Sequence, residues 1–135
     1  MGYRSDVGIG MYTKDYNTMI KRAKALKDNS VYDLINYADR YTADKNKVTI
    51  LHFTDIRWHT DYKSVQWIEN FIQKIDSVLV RVGENLADNE ETCFNEGCEL
   101  FEYCYLERSI GIIKDKQIEE DGNLNELLEE IDRRL

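Results

Sequence analysis

The chain has 135 residues, 42% apolar and 33% charged, which suits one globular domain around one core and is too apolar for a disordered chain. Its 26 acids against 18 bases give a net charge of −8, which argues against direct nucleic-acid binding, since phosphate contacts need a basic patch. There is no apolar run of about 18 residues, and the opening MGYRSDVGIG lacks the zones of a secretory signal, so a cytosolic protein that does not enter a membrane is expected.

Residues 3–12 alternate, with Tyr3, Ser5, Val7, Ile9 and Met11 on one face and Arg4, Asp6, Gly8 and Gly10 on the other, as in a strand with one apolar side. Tyr16, Met19, Ile20, Ala23 and Leu26 then recur at helical spacing after Thr13 or Asp15 as caps. A shorter helix, capped by Asn29 or Ser30, turns Val31, Leu34, Ile35 and Ala38 inward and closes near Tyr41, and the polar TADKNK reads as a loop. Residues 47–59 are β-branched, aromatic and apolar on both faces over their first half, as in a central strand. After Asp61 comes a helix with Val65, Ile68, Phe71, Ile72 and Ile75 as its stripe. Residues 77–84 make a short strand, 84–97 an acidic loop, and 98–113 one or two strands bent near Gly111. Leu124, Leu127, Leu128, Ile131 and Leu135 mark a C-terminal helix over 123–135, docked on its own core or exchanged in a homodimer. The order β-α-α-β-α-β-β-α implies a single α+β domain, a mixed or antiparallel sheet of about four strands backed by helices in a ferredoxin-type manner.

Cys93, Cys98 and Cys104 are an odd number and suit free thiols in a reducing cytosol, with Cys98 and Cys104 packed as small apolar residues. Their spacing, with His52 and His59 elsewhere, matches no standard zinc pattern, so no metal is expected. Gly8-x-Gly10 lacks the third glycine of a nucleotide loop and reads instead as two positions that let a neighbouring segment approach closely. No nucleophile and base can be singled out, so neither an enzyme nor a cofactor is expected.

The stretch ENLADNEETCFNEGCELFEYCYLE, residues 84–107, holds eight carboxylates and no Lys or Arg. On a strand from 98 onward, Glu99, Phe101, Tyr103, Tyr105 and Glu107 share one face. Together with Asp88, Glu90, Glu91 and Glu96 they can steer a basic partner by charge and hold it through aromatic contacts. The plainer alternative is a solvated acidic segment that aids solubility. Arg4, Arg81 and Arg108 stand in predicted strands, where guanidinium forks can grip phosphate while Trp58 or Trp67 stacks on a base; an ion-pair lattice with Asp6, Glu84 and Glu107 is the alternative.

The blocks MGYRSDVGIGMY, IRWHTDYKSVQWIENFI, VLVRVGE with the acidic run after it, and LERSIGII resemble small, mostly uncharacterised accessory proteins of bacteriophages and prophages. That resemblance implies a protein made in the host cytosol during infection and, by class, an inhibitor of host defence. Anti-CRISPR proteins, DNA-mimicking restriction inhibitors and sponges for cyclic nucleotide signals are of this kind. The expected function is therefore non-enzymatic, stoichiometric blocking of a host defence protein, a nucleic-acid-binding effector, through the acidic aromatic segment. The alternative is sequestration of a cyclic or ADP-ribose-type signalling nucleotide by the arginines.

Overall fold

The computed structural model describes residues 4–85, 88–106 and 110–118. Arg108, Glu107 and the expected helix 123–135 lie outside the described residues. The chain runs β1 (Ser5–Tyr12), α1 (Thr13–Lys24), α2 (Ser30–Tyr37), β2 (Asp39–Ala43), β3 (Val48–Ile56), α3 (Lys63–Ile72), β4 (Ser77–Gly83) and β5 (Asn89–Phe94). A 3-10 helix (Gly97–Glu102), β6 (Cys104–Leu106), β7 (Ile110–Ile112) and β8 (Lys116–Ile118) follow. The architecture is α+β with antiparallel pairing throughout.

The main sheet has six strands in the order β5-β4-β1-β3-β2-β8, and β6 and β7 form a separate hairpin. Its inner order β4-β1-β3-β2, with helices in both crossovers, is the ferredoxin-type arrangement, widened by a strand at each edge. The four-strand expectation was too small because three strands, β2, β5 and β8, are made by pairing rather than by pattern. Residues 39–43 lie beside β3 instead of ending a helix at Tyr41, and α2 stops at Tyr37. Residues 89–94, expected inside an acidic loop, pair along the whole of β4.

One sheet face carries Val7, Ile9, Met11, Leu51, Phe53 and Leu79 against the stripes of the three helices, including Tyr16, Met19, Ile35, Ile68 and Ile72. The other face carries Val48, Ile50, Val78 and Val80 under Leu100 and Cys104, with Ile110 and Ile112 packed alongside. Three layers and two cores result, which explains why residues 48–53 are apolar on both sides. Gly8 and Gly10 face the second core. A Cβ at Gly8 would sit 2.8 Å from Cys104 Sγ and 2.9 Å from Ile110 Cγ2, so the glycines do serve close approach, here of a hairpin.

The expected strand over 98–113 begins instead with the 3-10 helix. At its first residue, Gly97, a Cβ would lie 2.2 Å from the Ser77 backbone nitrogen, which leaves no room for any other residue. Leu100, fully buried, then anchors the turn in the second core. Cys93 and Cys98, expected as free thiols, are joined in a disulfide that ties β5 to this helix, while Cys104 stays a buried thiol. A Cα separation of 5.1 Å brings them together because the chain reverses between them at Asn95, which has φ +57°.

Candidate functional site

The acidic stretch does not form one ribbon. Asp88 and Glu90 belong to Arg81, whose Nη2 and Nη1 reach Asp88 Oδ1 and Oδ2 at 2.8 and 3.3 Å and whose Nε reaches Glu90 Oε1 at 3.3 Å. The register sets Arg81 between Val7 and Glu90, so this fork fastens the edge strand to the sheet. These bonds and ion pairs hold the guanidinium pKa above its usual value, through the Asp88 hydrogen bond first, against the opposing effect of burial.

Glu91 takes the opposite face of β5, level with Val80, and accepts the Leu106 backbone N–H at 3.2 Å. Glu99 and Phe101 ride on the 3-10 helix, Tyr103 follows it, and Tyr105 is in β6, packed over Gly111. The expected common strand face of Glu99, Phe101, Tyr103 and Tyr105 is therefore not formed. Phe101 and Tyr103 are instead half-buried against the second core.

Here the structure brings together residues that sequence reasoning missed. The Tyr12 hydroxyl donates to Glu99 Oε2, and Asp76 Oδ1 accepts the Glu96 backbone N–H at 3.0 Å. Asp44, in the β2–β3 turn, and Asp115, whose Oδ2 accepts the Asn46 N–H at 3.3 Å, close the other side. Their fields reach the two phenols. The Tyr12 pKa is pushed up to about 12 by the hydrogen bond to Glu99, by burial, and by the charges of Glu99 and Asp76. Tyr103 is raised by desolvation and then by Asp44, Glu102, Glu99 and Asp115.

Asp44, Asp76, Glu99, Glu102 and Asp115 thus surround Tyr12 and Tyr103. Among the described residues none of these five makes an ion pair, although Lys45 and Lys47 share the turn with Asp44. The signal available in the sequence was limited to Glu99, Glu102 and Tyr103, because the other three acids arrive from distant segments.

The arginine set is placed differently from expectation. Arg4 donates from Nη1 to the Asp55 carbonyl at 2.8 Å, and its backbone N–H to Glu84 Oε2 at 3.0 Å. Asp55 itself sits in a bulge of β3 at φ +55°, with its N–H held by Asp6 Oδ1 at 2.9 Å. Trp58 is 8% exposed, packs on Phe53 and donates its indole N–H to Glu69 Oε2 at 2.8 Å, so no base can stack on it. Trp67 is half-buried and stacked on Phe71. What remains near Arg4 is an open groove of about 520 Å³ lined also by Ser30, Asp33, Tyr37, Asp55 and Ser64.

His52 lies on the second face between Gly8 and Asp39; burial lowers its pKa against the opposing charges of Asp6 and Asp39. Among the described residues no group of three or more His, Cys, Asp or Glu side chains could hold a metal, and no helix is long and apolar enough to cross a membrane. Comparison of the chain with protein-family models, curated proteins and solved structures gives no match.

Proposed function

We propose that the protein is a non-enzymatic, stoichiometric inhibitor that binds a basic, nucleic-acid-binding protein of a bacterial defence system through the acidic surface around Tyr12 and Tyr103. The observation that carries this reading is the set of five carboxylates from four segments, left without ion pairs among the described residues around two phenols. Carboxylates so placed attract the cationic groove of such a partner, and phenol rings among them supply contact area at small cost in side-chain entropy. The phage setting is drawn from the resemblance carried by the blocks MGYRSDVGIGMY, IRWHTDYKSVQWIENFI, VLVRVGE and LERSIGII.

The test is plaque formation by a sensitive phage on bacteria carrying a defence system, with and without the protein. A triple variant Glu96→Lys, Glu99→Lys, Glu102→Lys that keeps its melting cooperativity loses protection; undiminished protection by that variant refutes the surface. Of the partner residues expected from sequence, Glu96, Glu99 and Tyr103 stay in this proposal. Asp88 and Glu90 leave it, since both are tied to Arg81 and fasten the edge strand.

The groove at Arg4 supports a second reading, capture of a phosphate-bearing nucleotide, with Tyr37 (57% exposed) as its stacking ring. Thermal melting with cyclic dinucleotides and ADP-ribose tests it. A ligand at about 100 times its dissociation constant stabilises by about 2.7 kcal/mol, and Arg4→Ala removes that gain.

A further inference from the structure

β5 is an outermost strand of the main sheet, with β4 on one side and, among the described residues, no strand on the other. Gly83 donates its N–H to the Asp88 carbonyl at 2.7 Å, and the register continues without a break as Val82 to Asn89, Arg81 to Glu90, Val80 to Glu91, Leu79 to Thr92 and Val78 to Cys93. Hydrogen-bonded pairs alternate in an antiparallel ladder, so Glu90 and Thr92 point their backbone groups into the sheet. Glu91 and Cys93 point theirs out, and among the described residues no other backbone hydrogen bond uses them.

We propose that this outer edge of β5 adds a strand from the partner, an extended segment with Lys or Arg at alternate positions. The inference rests on the reading of the protein as a binder of a basic protein and names the mode by which it grips. Glu91 stands on the second face beside the free backbone groups and is not committed to Arg81, so a basic strand laid along the edge with its Lys or Arg on that face meets a carboxylate there.

Two other occupants fit less well. A second copy paired about Glu91 would set that carboxylate opposite its own image. The chain's own C-terminal stretch, residues 119–135, has seven acids against two arginines and continues from β8 at the far edge of the sheet. Exposed edges of this kind are ordinarily blunted against self-association, and Glu90 and Glu91 do so while leaving the edge open to a cationic strand.

The probe is a fluorescein-labelled synthetic peptide alternating Lys with Val and Thr, titrated with the full chain and read by anisotropy at low salt. Its two N-methylated versions block every second amide in opposite frames. The expected result is binding that one frame weakens by at least about tenfold while the other leaves it unchanged, because only one set of amides faces β5. Glu91→Lys weakens binding as well, and a peptide with Glu in place of Lys does not bind.

Equal binding in both frames, lost in the Glu96, Glu99, Glu102 triple variant, overturns strand addition but leaves the acidic surface intact. No binding by the parent peptide overturns strand addition too, and the plaque assay decides the inhibitor reading separately. A concentration-dependent dimer in sedimentation that Glu91→Pro abolishes would overturn the proposal by assigning the edge to a second copy.

Discussion

Replacing Gly8 with Ala tests whether the hairpin truly closes over the second sheet face. An added Cβ would stand 2.8 Å from Cys104 Sγ and 2.9 Å from Ile110 Cγ2, whereas carbon atoms in contact keep about 3.5–4.0 Å. Both neighbours would have to retreat by most of an ångström from a core in which Cys104 is fully buried. Overpacking of this degree costs about 1–3 kcal/mol, offset by the roughly 0.5–1 kcal/mol that Ala gains over Gly within a strand. The expected net loss is about 1–2 kcal/mol.

Cys104→Ala alone removes the sulfur and costs about 1 kcal/mol, close to one buried methylene plus a small cavity. In the double variant the methyl group added at Gly8 occupies the space the sulfur has left, so the two losses fall short of additive by about 1 kcal/mol. Urea unfolding of the four proteins, with unchanged slopes, measures this coupling. Additive losses within about 0.3 kcal/mol, or a stabilised Gly8→Ala, would refute the packing of Cys104 against β1.

Gly97→Ala should be the more damaging glycine change, by several kcal/mol or with loss of folding, because its Cβ would meet Ser77 backbone atoms at 2.2 and 2.6 Å that have nowhere to go; thermal melts of the two variants rank them. Tyr12 keeps its proton to about 12 in the folded chain, against 10.0 as a free phenol, so its contribution to stability is complete below pH 10 and is lost as pH rises toward 12. Phenolate absorbance should show one tyrosine titrating last, and Glu99→Gln should bring it down. Cys93→Ser with Cys98→Ser opens a loop of sequence separation 5 and should cost about 2 kcal/mol relative to the oxidised protein, while matching the reduced one in urea. Glu90→Lys puts a cation beside Arg81 and should destabilise by about 1 kcal/mol, whereas Glu102→Lys, on an exposed turn and without an ion pair among the described residues, should leave stability within about 0.5 kcal/mol and act on binding alone.

What could be read from the sequence was whatever a single segment carries in its own period. The stripes of α1 and α3 and the alternation of β1 each name their buried residues correctly: Tyr16, Met19 and Ala23; Val65, Ile68, Phe71 and Ile72; Val7, Ile9 and Met11. β2 and β5 were invisible because DRYTA and NEETCF have no apolar period and become strands only by lying along β3 and β4. The residues from Gly97 onward misled for the opposite reason. Their acid and aromatic alternation imitates a strand, while the fixed points of the turn are Gly97 and Leu100, three apart, as a 3-10 helix requires. The second core did leave a trace, in Val78, Leu79 and Val80, apolar on both faces of β4, and in two glycines on one side of β1. The acids around Tyr12 left none, since Asp44, Asp76 and Asp115 are brought to Glu99 only by the folded sheet.

The location of the excess charge follows from how the edge strand is held. Arg81 is the cation the sheet offers at that end of β4, and Asp88 and Glu90 consume it, because a strand as polar as β5 needs more than backbone pairing and Phe94 to stay in place. Arg81 lies on the first face, and the carboxylates on the second face have no counterion among the described residues; their mutual repulsion rests on a scaffold fixed by Leu100, Gly97 and the Cys93–Cys98 bond. An arrangement that only served solubility would gain nothing from rigidity, since charges on a mobile loop repel other molecules equally well. Holding unpaired acids and two phenols on a fixed surface costs stability that a partner's cations would return on binding, and this is the physical ground for treating the surface as a binding face.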